Sequence, residues 1–211
     1  MARTKASKAW MREHVKDPYV RRAQAEGARS RAAYKLRQID ERDRLLKPGM
    51  TVVDLGAAPG GWSQLLARRV APGGRVIAVD LIDMPPLPGV VFIQGDFGSA
   101  ATLDALEQVL GNRPVDLVLS DMSPHISGIA SVDQARAGTL AELALDFVLK
   151  HLKPQGNFLV KSFQGEAFEA FVKTLRRHFT QVVTRKPQAS RSRSSEVYLL
   201  GKGCRRSRSA T

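Results

Sequence analysis

A short apolar run near residue 50 constrains the fold of this chain more than any other stretch. Residues 51–55 are Thr, Val, Val, Asp and Leu; small residues and one proline fill Gly56–Gly61, and a helical pattern begins at Trp62. β-branched residues favour a strand, and small residues allow a tight turn whose backbone can approach a ligand closely. Ligands of open α/β sheets bind beyond the carboxyl ends of the strands. We therefore expect a cofactor at this turn.

Strands and helices alternate along the rest of the chain. The expected strands are Thr51–Leu55, Arg75–Asp80, Val90–Gln94, Val115–Ser120, Asn157–Ser162, Thr180–Lys186 and Glu196–Leu200. The expected helices are Ser30–Leu45, Trp62–Val70, 102–110, Val132–Leu152 and Ala167–His178. This alternation predicts a mostly parallel sheet with right-handed crossovers and helices on both faces. The last two strands have no clear helix between them, so we expect them to pair antiparallel.

Length and composition limit the class of protein. A chain of 211 residues with 43% hydrophobic content is long enough for one α/β domain with a sizeable core. No run approaches the roughly 18 to 20 apolar residues of a membrane span, and the N-terminus lacks the apolar stretch of a signal peptide. We expect a cytoplasmic protein without membrane contact. With Cys204 as the single cysteine and four histidines without metal-ligand spacing, neither a disulfide nor a metal site is expected.

Positive charge is concentrated at the two ends of the chain. Residues 1–35 hold ten Lys and Arg against three acids, residues 173–211 hold eleven against one, and the middle holds twelve against sixteen. A charge run is often only a solvated surface, but this segregation favours a polyanionic partner. Without an amphipathic membrane helix, the partner class that the charge indicates is nucleic acid.

An ionisable residue lies at or just beyond the end of each expected parallel strand. These residues are Asp54, Asp80, Asp96, Asp121 and Lys161. Any one of these acids could merely cap the helix that follows. Because the carboxyl ends of parallel strands meet at one rim, however, all five together indicate a ligand site.

The turn does not match a dinucleotide-binding fingerprint. That pattern requires G-x-G-x-x-G, whereas here the second residue after Gly56 is Ala58, and Pro59 follows. A ligand without phosphates therefore fits better, and a dehydrogenase is improbable.

Residues Asp54–Trp62 resemble motif I of S-adenosylmethionine (SAM) methyltransferases, in the form used by the FtsJ/RrmJ family of ribosomal RNA ribose 2′-O-methyltransferases. The resemblance implies a Rossmann-like fold with a seven-stranded, mostly parallel sheet and a closing antiparallel hairpin, with SAM as cofactor. It implies that Asp80 contacts the cofactor's ribose and Asp96 its adenine amino group, beside Phe97. The implied cofactor-binding residues are Asp54, Gly56, Pro59, Gly60, Gly61, Trp62, Asp80, Asp96, Phe97 and Asp121. Trp62 could equally belong to the core, and Asp54 could act by its charge alone.

Four residues far apart in the chain match the Lys-Asp-Lys-Glu tetrad of the same family. They are Lys35 in Ser30–Leu36, Asp121 in Ser120–Pro124, Lys161 in Val160–Gly165 and Glu196 in Ser194–Tyr198. The resemblance implies methyl transfer to a ribose 2′-hydroxyl, in a uridine of large-subunit ribosomal RNA on the assembled subunit. Alternatives are a transfer RNA or mRNA cap substrate, or a non-catalytic RNA-binding assembly factor. Lys161 could act as a base or as a positioning cation, and the sequence leaves both open.

The chain is expected to have one folded domain with two basic extensions. Residues 1–28 form a basic, partly flexible arm with a short helix around Trp10 to Tyr19, residues 29–201 form the methyltransferase domain, and residues 202–211 form an Arg/Ser tail. We expect a monomer.

Overall fold

The seven strands form one mixed sheet in a computed structural model, which describes residues 17–111, 113–124, 127–165, 167–191 and 194–205. The strands are β1 Thr51–Leu55, β2 Arg75–Asp80, β3 Val90–Gln94, β4 Val115–Ser120, β5 Leu152–Phe163, β6 Phe179–Arg185 and β7 Glu196–Cys204. The helices are α1 Pro18–Glu26, α2 Ala32–Asp43, α3 Gly61–Val70, α4 Ala100–Leu110, α5 Ala130–His151 and α6 Phe168–His178.

The strand order is β3-β2-β1-β4-β5-β7-β6. Strands β1 to β5 are parallel, and β7 pairs antiparallel with both β5 and β6. The predicted mostly parallel sheet with a closing antiparallel hairpin is thus confirmed. The chain runs outward from β1 to β3 and then returns to place β4 beside β1. This reversal opens a crevice beyond the carboxyl ends of β1 and β4, where ligands of such sheets bind.

Two apolar cores cover the two faces of the sheet, because successive side chains of a buried strand point to opposite faces. On one face, Val53 and Leu55 pack with residues of α4, α5 and α6. On the other, Val52 packs with residues of α2 and α3. The prediction of helices on both faces is therefore confirmed.

Helix α1 is the main departure from the predicted flexible arm. Asp17 caps it by accepting a hydrogen bond from the Tyr19 amide at 2.9 Å, and Val20 and Ala23 are buried. The Tyr19 ring packs at 5.5 Å from that of Tyr34 on α2. Residues 18–26, expected as part of a basic, partly flexible arm, form a helix that covers apolar surface of α2. The helix predicted around Trp10 lies mostly outside the described residues, as does the tail beyond Arg205.

Strand β5 begins five residues earlier than predicted. The turn-like sequence of residues 153–156 lies within the strand, and the pairing with β4 shifts register between Val115↔Leu152 and Leu117↔Asn157. This irregularity absorbs the extra residues, and beyond it the ladder continues regularly to Val160. Lys161, the next residue, is thereby placed at the rim beside the end of β4. Within the described chain, no helix is long and apolar enough to cross a membrane.

Candidate active site

A cavity of about 540 Å³ lies at the crevice between the ends of β1 and β4. This volume is within the range of small-molecule sites, roughly 300 to 1,000 Å³. Its lining comes from the ends of β1 to β4 and from one face of α5: Gly56, Ala58, Val79, Asp80, Leu81, Ile82, Gly95, Asp96, Phe97, Asp121, Met122, Ser123, Pro124, Arg136, Thr139 and Leu140. Five predicted cofactor-binding residues are among them: Gly56, Asp80, Asp96, Phe97 and Asp121.

Gly56 allows the ends of β1 and β4 to meet at the floor of this cavity. Its φ is +76°, and a Cβ at this position would lie 2.7 Å from the Met122 backbone nitrogen. Any larger residue would force the two strand ends apart. The requirement for glycine here therefore follows from the approach of two backbones.

The rest of the predicted glycine loop faces the protein rather than the cavity. A Cβ on Gly60 would lie 3.1 Å from Arg29, and one on Gly61 would lie 2.1 Å from the Ser30 hydroxyl oxygen. The Arg29 guanidinium in turn donates hydrogen bonds to the carbonyl oxygens of Pro85 and Pro86, at 2.5 and 2.7 Å. Pro59, Gly60 and Gly61 lie outside the cavity lining, and the two glycines make room for residues 29–30.

Trp62 is a core residue in this structure. Its side chain is buried, and the indole nitrogen donates a hydrogen bond to the Ala32 carbonyl oxygen at 2.8 Å. Its ring packs 5.7 Å from that of Tyr198. Of the two interpretations that the sequence left open, the geometry supports the core.

Asp80 and Asp96 project into the cavity from the ends of β2 and β3. The Asp80 carboxylate accepts backbone hydrogen bonds from Ala58 and Ile82, both at 2.8 Å, and Asp96 accepts one from Gly98 at 2.9 Å. A carboxylate has about four acceptor sites, so each side chain can still accept hydrogen bonds from a ligand. These acceptors fit a ligand rich in hydroxyl, amino and cationic groups.

Asp54 lies behind the cavity wall rather than in the lining. It is fully buried, and one of its carboxylate oxygens accepts a hydrogen bond from the Ser63 hydroxyl at 2.6 Å, while the other has no partner. Burial raises the pKa of Asp54 to about 7; the Ser63 hydrogen bond opposes this shift, and the nearby Asp121 and Asp80 charges add to it. Asp54 can therefore influence a ligand in the cavity only electrostatically, to the extent that its carboxyl group is ionised.

Lys161 and Asp121 form a tight ion pair at the edge of the cavity. The Lys161 amine lies 2.9 Å from an Asp121 carboxylate oxygen, and it donates to the Asp121 carbonyl oxygen at 2.7 Å and to the Ser123 hydroxyl at 2.8 Å. Three oxygens thus match the three N–H donors of an ammonium group. Since Asp121 and Ser123 both line the cavity, this amine lies directly beside two lining residues.

Lys35 and Glu196 form a second ion pair, set back from the cavity lining. The Lys35 amine donates to Glu196 at 2.6 Å, and the Ser190 hydroxyl donates to the same carboxylate at 3.0 Å. Burial on its own would raise the pKa of Glu196, but the charges of Lys35 and Lys161 outweigh it and hold that pKa below its ordinary value. The tetrad predicted from the sequence is therefore brought together as two coupled pairs.

Tyr198 connects the two pairs. It lies opposite Lys161 in the β5–β7 register, and its hydroxyl donates to the Asp121 carboxylate at 2.8 Å. The Lys35 amine stands 5.8 Å from the centre of its ring. Burial and the charges of Asp121 and Glu196 raise the pKa of Tyr198 well above 10, so it remains a donor. A sequence signal existed, because Tyr198 is two residues beyond Glu196 and so on the same face of a strand.

Several cavity residues were not predicted from the sequence. Met122 directly follows Asp121, and Ile82 lies two residues beyond Asp80. Both could have been inferred from their proximity to these predicted acids. Helix α5 contributes Arg136, Thr139 and Leu140 to the lining. Their position in the cavity is determined by how this helix packs on β4 and β5. No spacing in the sequence indicated that packing.

Comparison with known proteins agrees with this geometry. The sequence model of the FtsJ-like methyltransferases matches residues 28–204. The chain belongs to this family. Two relatives are named ribosomal RNA large subunit methyltransferase E. The protein from Methylobacillus flagellatus is 61% identical, over 95% of this chain and 97% of the relative. The protein from Azoarcus sp. is 62% identical, over 95% of this chain and 98% of the relative.

Solved structures share the fold. A ribosomal RNA methyltransferase from Plasmodium falciparum is 29% identical, with a TM-score of 0.76 over 83% of this chain and 98% of that one. The methyltransferase MycE from mycinamycin biosynthesis, solved with SAH, is 18% identical, with a TM-score of 0.53 over 82% of this chain and 47% of that one. The second likeness extends to the fold alone.

Proposed function

We propose that this methyltransferase transfers the methyl group of SAM to a ribose 2′-hydroxyl, in a uridine of large-subunit ribosomal RNA within the assembled subunit. The observation that carries the proposal is the convergence of Lys161, Asp121, Lys35 and Glu196 at one end of a cavity lined by acids. The names of the relatives support the RNA class. We further propose that the protein acts as a monomer in the cytoplasm.

The cavity suits SAM better than a phosphate-bearing cofactor. Asp80, Asp96 and Asp121 offer acceptors to ribose hydroxyls, an adenine amino group and an ammonium group, and they would repel a pyrophosphate. Ile82, Phe97 and Met122 supply apolar surface for a purine ring. When bound, SAM supplies an electrophilic methyl group on a positively charged sulfur.

In the reaction, the target oxygen gains a methyl carbon and loses one proton. The protein must therefore hold this oxygen in line with the methyl group, and the proton must have an acceptor. The Lys161 amine is held from three directions, so a hydroxyl placed beside it is oriented with little loss of freedom. All four charged side chains of the two pairs are at most 16% exposed, which strengthens their electrostatic effect on the reacting oxygen.

Methyl transfer from labelled SAM to large subunits that lack the modification tests the proposal, with the methylated nucleotide located by mass spectrometry. Lys161→Ala should lower the single-turnover rate by about 10²- to 10⁴-fold, the usual contribution of a general base, and leave SAM affinity unchanged. An active Lys161→Ala variant, or no transfer by the parent enzyme, would contradict the proposal.

Lys161→Arg separates the two roles of the lysine. A guanidinium stays protonated in proteins, so it can donate hydrogen bonds but cannot accept the proton. A folded, SAM-competent arginine variant with a near-normal rate excludes the base role. Loss of rate in this variant, together with a parent rate that rises with pH through a lysine-like titration, supports the base.

The cofactor assignment has its own test. Asp96→Ala should weaken SAM binding by about 1–3 kcal/mol, the order expected for losing a hydrogen bond to a charged acceptor, as measured by calorimetry. Asp104→Ala is the matched control, because Asp104 is an exposed acid on α4 outside the cavity lining. Equal SAM affinity in the two variants would remove Asp96 from the site.

A further inference from the structure

Large hydrophobic side chains stand exposed at three places among the described residues. Leu81 and Ile82 follow β2 and line the cavity, Val91 lies on the edge strand β3, and Ile129 and Val132 lie at the start of α5. Their exposed fractions run from 36% for Val91 and Val132 to 67% for Ile82. Among these exposed side chains of the described residues, only Ile129 and Val132 stand near the cavity without lining it.

Val132 extends a face of α5 that begins inside the cavity. Residues three or four apart share one face of a helix, so Val132, Arg136 and Leu140 form one stripe about 12 Å long. Arg136 and Leu140 line the cavity, and Val132 continues the stripe outward. Ile129 directly precedes the helix and is 59% exposed.

This stripe leaves the cavity on the side of the reacting groups. Helix α5 packs on β4 and β5, the two strands at whose ends Asp121 and Lys161 lie. Its Arg136 lines the same cavity as Ser123, whose hydroxyl accepts a hydrogen bond from the Lys161 amine at 2.8 Å. Leu81 and Ile82 belong to the other side, at the end of β2, two strands or about 10 Å from the end of β4. The apolar surface beside β2 is thus placed to cover the cofactor, and the stripe on α5 to meet the substrate.

Ser127 and Gly128, which directly precede Ile129, are held by hydrogen bonds to Asp133 of α5. The Asp133 carboxylate accepts hydrogen bonds from the Ser127 amide at 2.8 Å, the Ser127 hydroxyl at 2.7 Å and the Gly128 amide at 3.2 Å. Preorganised surface reduces the entropy cost of binding.

We infer that Ile129, Val132 and Arg136 form a docking ledge for the nucleotide next to the target ribose. This inference rests on the proposed function. A ribose within an RNA strand brings its neighbours with it, so the surface outside the reacting end must meet an adjacent base and phosphate. The two apolar side chains offer a surface on which an unstacked base can rest, and the guanidinium matches a phosphate.

The first test compares the double variant Ile129→Ser/Val132→Ser with Val91→Ser, whose wild-type side chain has the same exposed fraction as Val132. Binding to unmethylated large subunits is measured by co-sedimentation, and methyl transfer under single-turnover conditions. The ledge predicts a rise of about three- to tenfold in the half-saturating subunit concentration for the double variant and less than twofold for Val91→Ser. SAM affinity should not change in either variant.

The second test uses Arg136→Gln, which should lower the slope of log affinity for the subunit against log salt by about one. Unchanged subunit binding in the double variant overturns the ledge. Weakened SAM binding with normal subunit binding would make the stripe a cofactor wall, and a change of oligomeric state in sedimentation would make it a contact between copies; either result also overturns it. If the parent binds subunits but transfers no methyl group, the proposed function fails, and the binding comparison still decides the ledge.

Discussion

Asp54 is an acid whose ionisation depends strongly on the fold. Burial is the main cause of its raised pKa, about 7, and a single hydroxyl, that of Ser63, compensates part of the carboxylate's lost hydration. By contrast, the buried side chain of Asp43 contacts two cations, Arg185 and Lys202; they outweigh the effect of its burial and lower its pKa. Two buried aspartates thus have opposite shifts because one has cationic partners and the other does not.

The parent protein should lose stability as the pH rises from about 4 to 7, and Asp54→Asn should abolish this loss. In that window the unfolded chain has released the proton of Asp54 and the folded protein keeps it, so the free energy of unfolding falls as pH rises and levels off above 7. An asparagine mimics the protonated form. Relative to the parent, the variant should therefore gain up to about 4 kcal/mol from pH 4 to pH 8 in urea unfolding. Asp104→Asn, at an exposed position on α4, is the matched substitution, and a parallel pH profile for Asp54→Asn and parent would contradict the assignment.

Predictability from the sequence differs between the elements. Strands β1 to β4 have the predicted bounds, because buried β-branched runs ending in turn residues identify them without tertiary information. The acids at the ends of β2, β3 and β4 were found for the same reason. Helix α1 was missed because it buries only Val20 and Ala23, and its position depends on packing against Tyr34 of the next helix and against Ala189, which is distant in sequence. The sequence also could not show which side of the loop after β1 faces the ligand.

A substitution at the start of α3 can test whether the loop glycines are needed for packing or for cofactor binding. A Cβ on Gly61 would meet the hydroxyl of Ser30, which is buried and makes no hydrogen bond with the part of the chain that the structure describes. Gly61→Ala should therefore lower the free energy of unfolding by about 1–3 kcal/mol, the usual cost of overpacking. Ser30→Ala should be nearly neutral alone and should restore most of the loss in the double variant.

The double-mutant cycle is read from urea unfolding and from calorimetry with SAM. Packing predicts a coupling energy in stability and no effect of either change on SAM affinity once the protein is folded. If Gly61→Ala weakens SAM binding and the added Ser30→Ala change does not restore it, then Gly61 belongs to the cofactor site.

Over the whole molecule, part of the positive charge near the ends of the chain is paired within the fold. Toward the C-terminus, the Arg185 guanidinium lies 2.7 Å and the Lys202 amine 2.6 Å from the Asp43 carboxylate, whose side chain is 3% exposed. The Lys186 amine donates to the Ser194 carbonyl oxygen at 2.8 Å. Part of the positive charge counted in the sequence therefore stabilises the fold, and net charge alone overstates the phosphate-binding surface.

Deleting residues 1–16 should weaken binding to large subunits and flatten its salt dependence. This segment holds five Lys and Arg against one acid, and the slope of log affinity against log salt falls by about 0.7 to 0.9 for each phosphate that the protein no longer neutralises. We expect a decrease of up to roughly four in the slope and no change in SAM affinity, since the deletion spares α1 and the cavity. Lys202→Gln is the control, because Lys202 is paired with Asp43 and should leave the slope unchanged. Equal slopes for the deletion, the control and the parent would mean that these cations only face solvent, and the RNA would then be held by the surface around the reacting end.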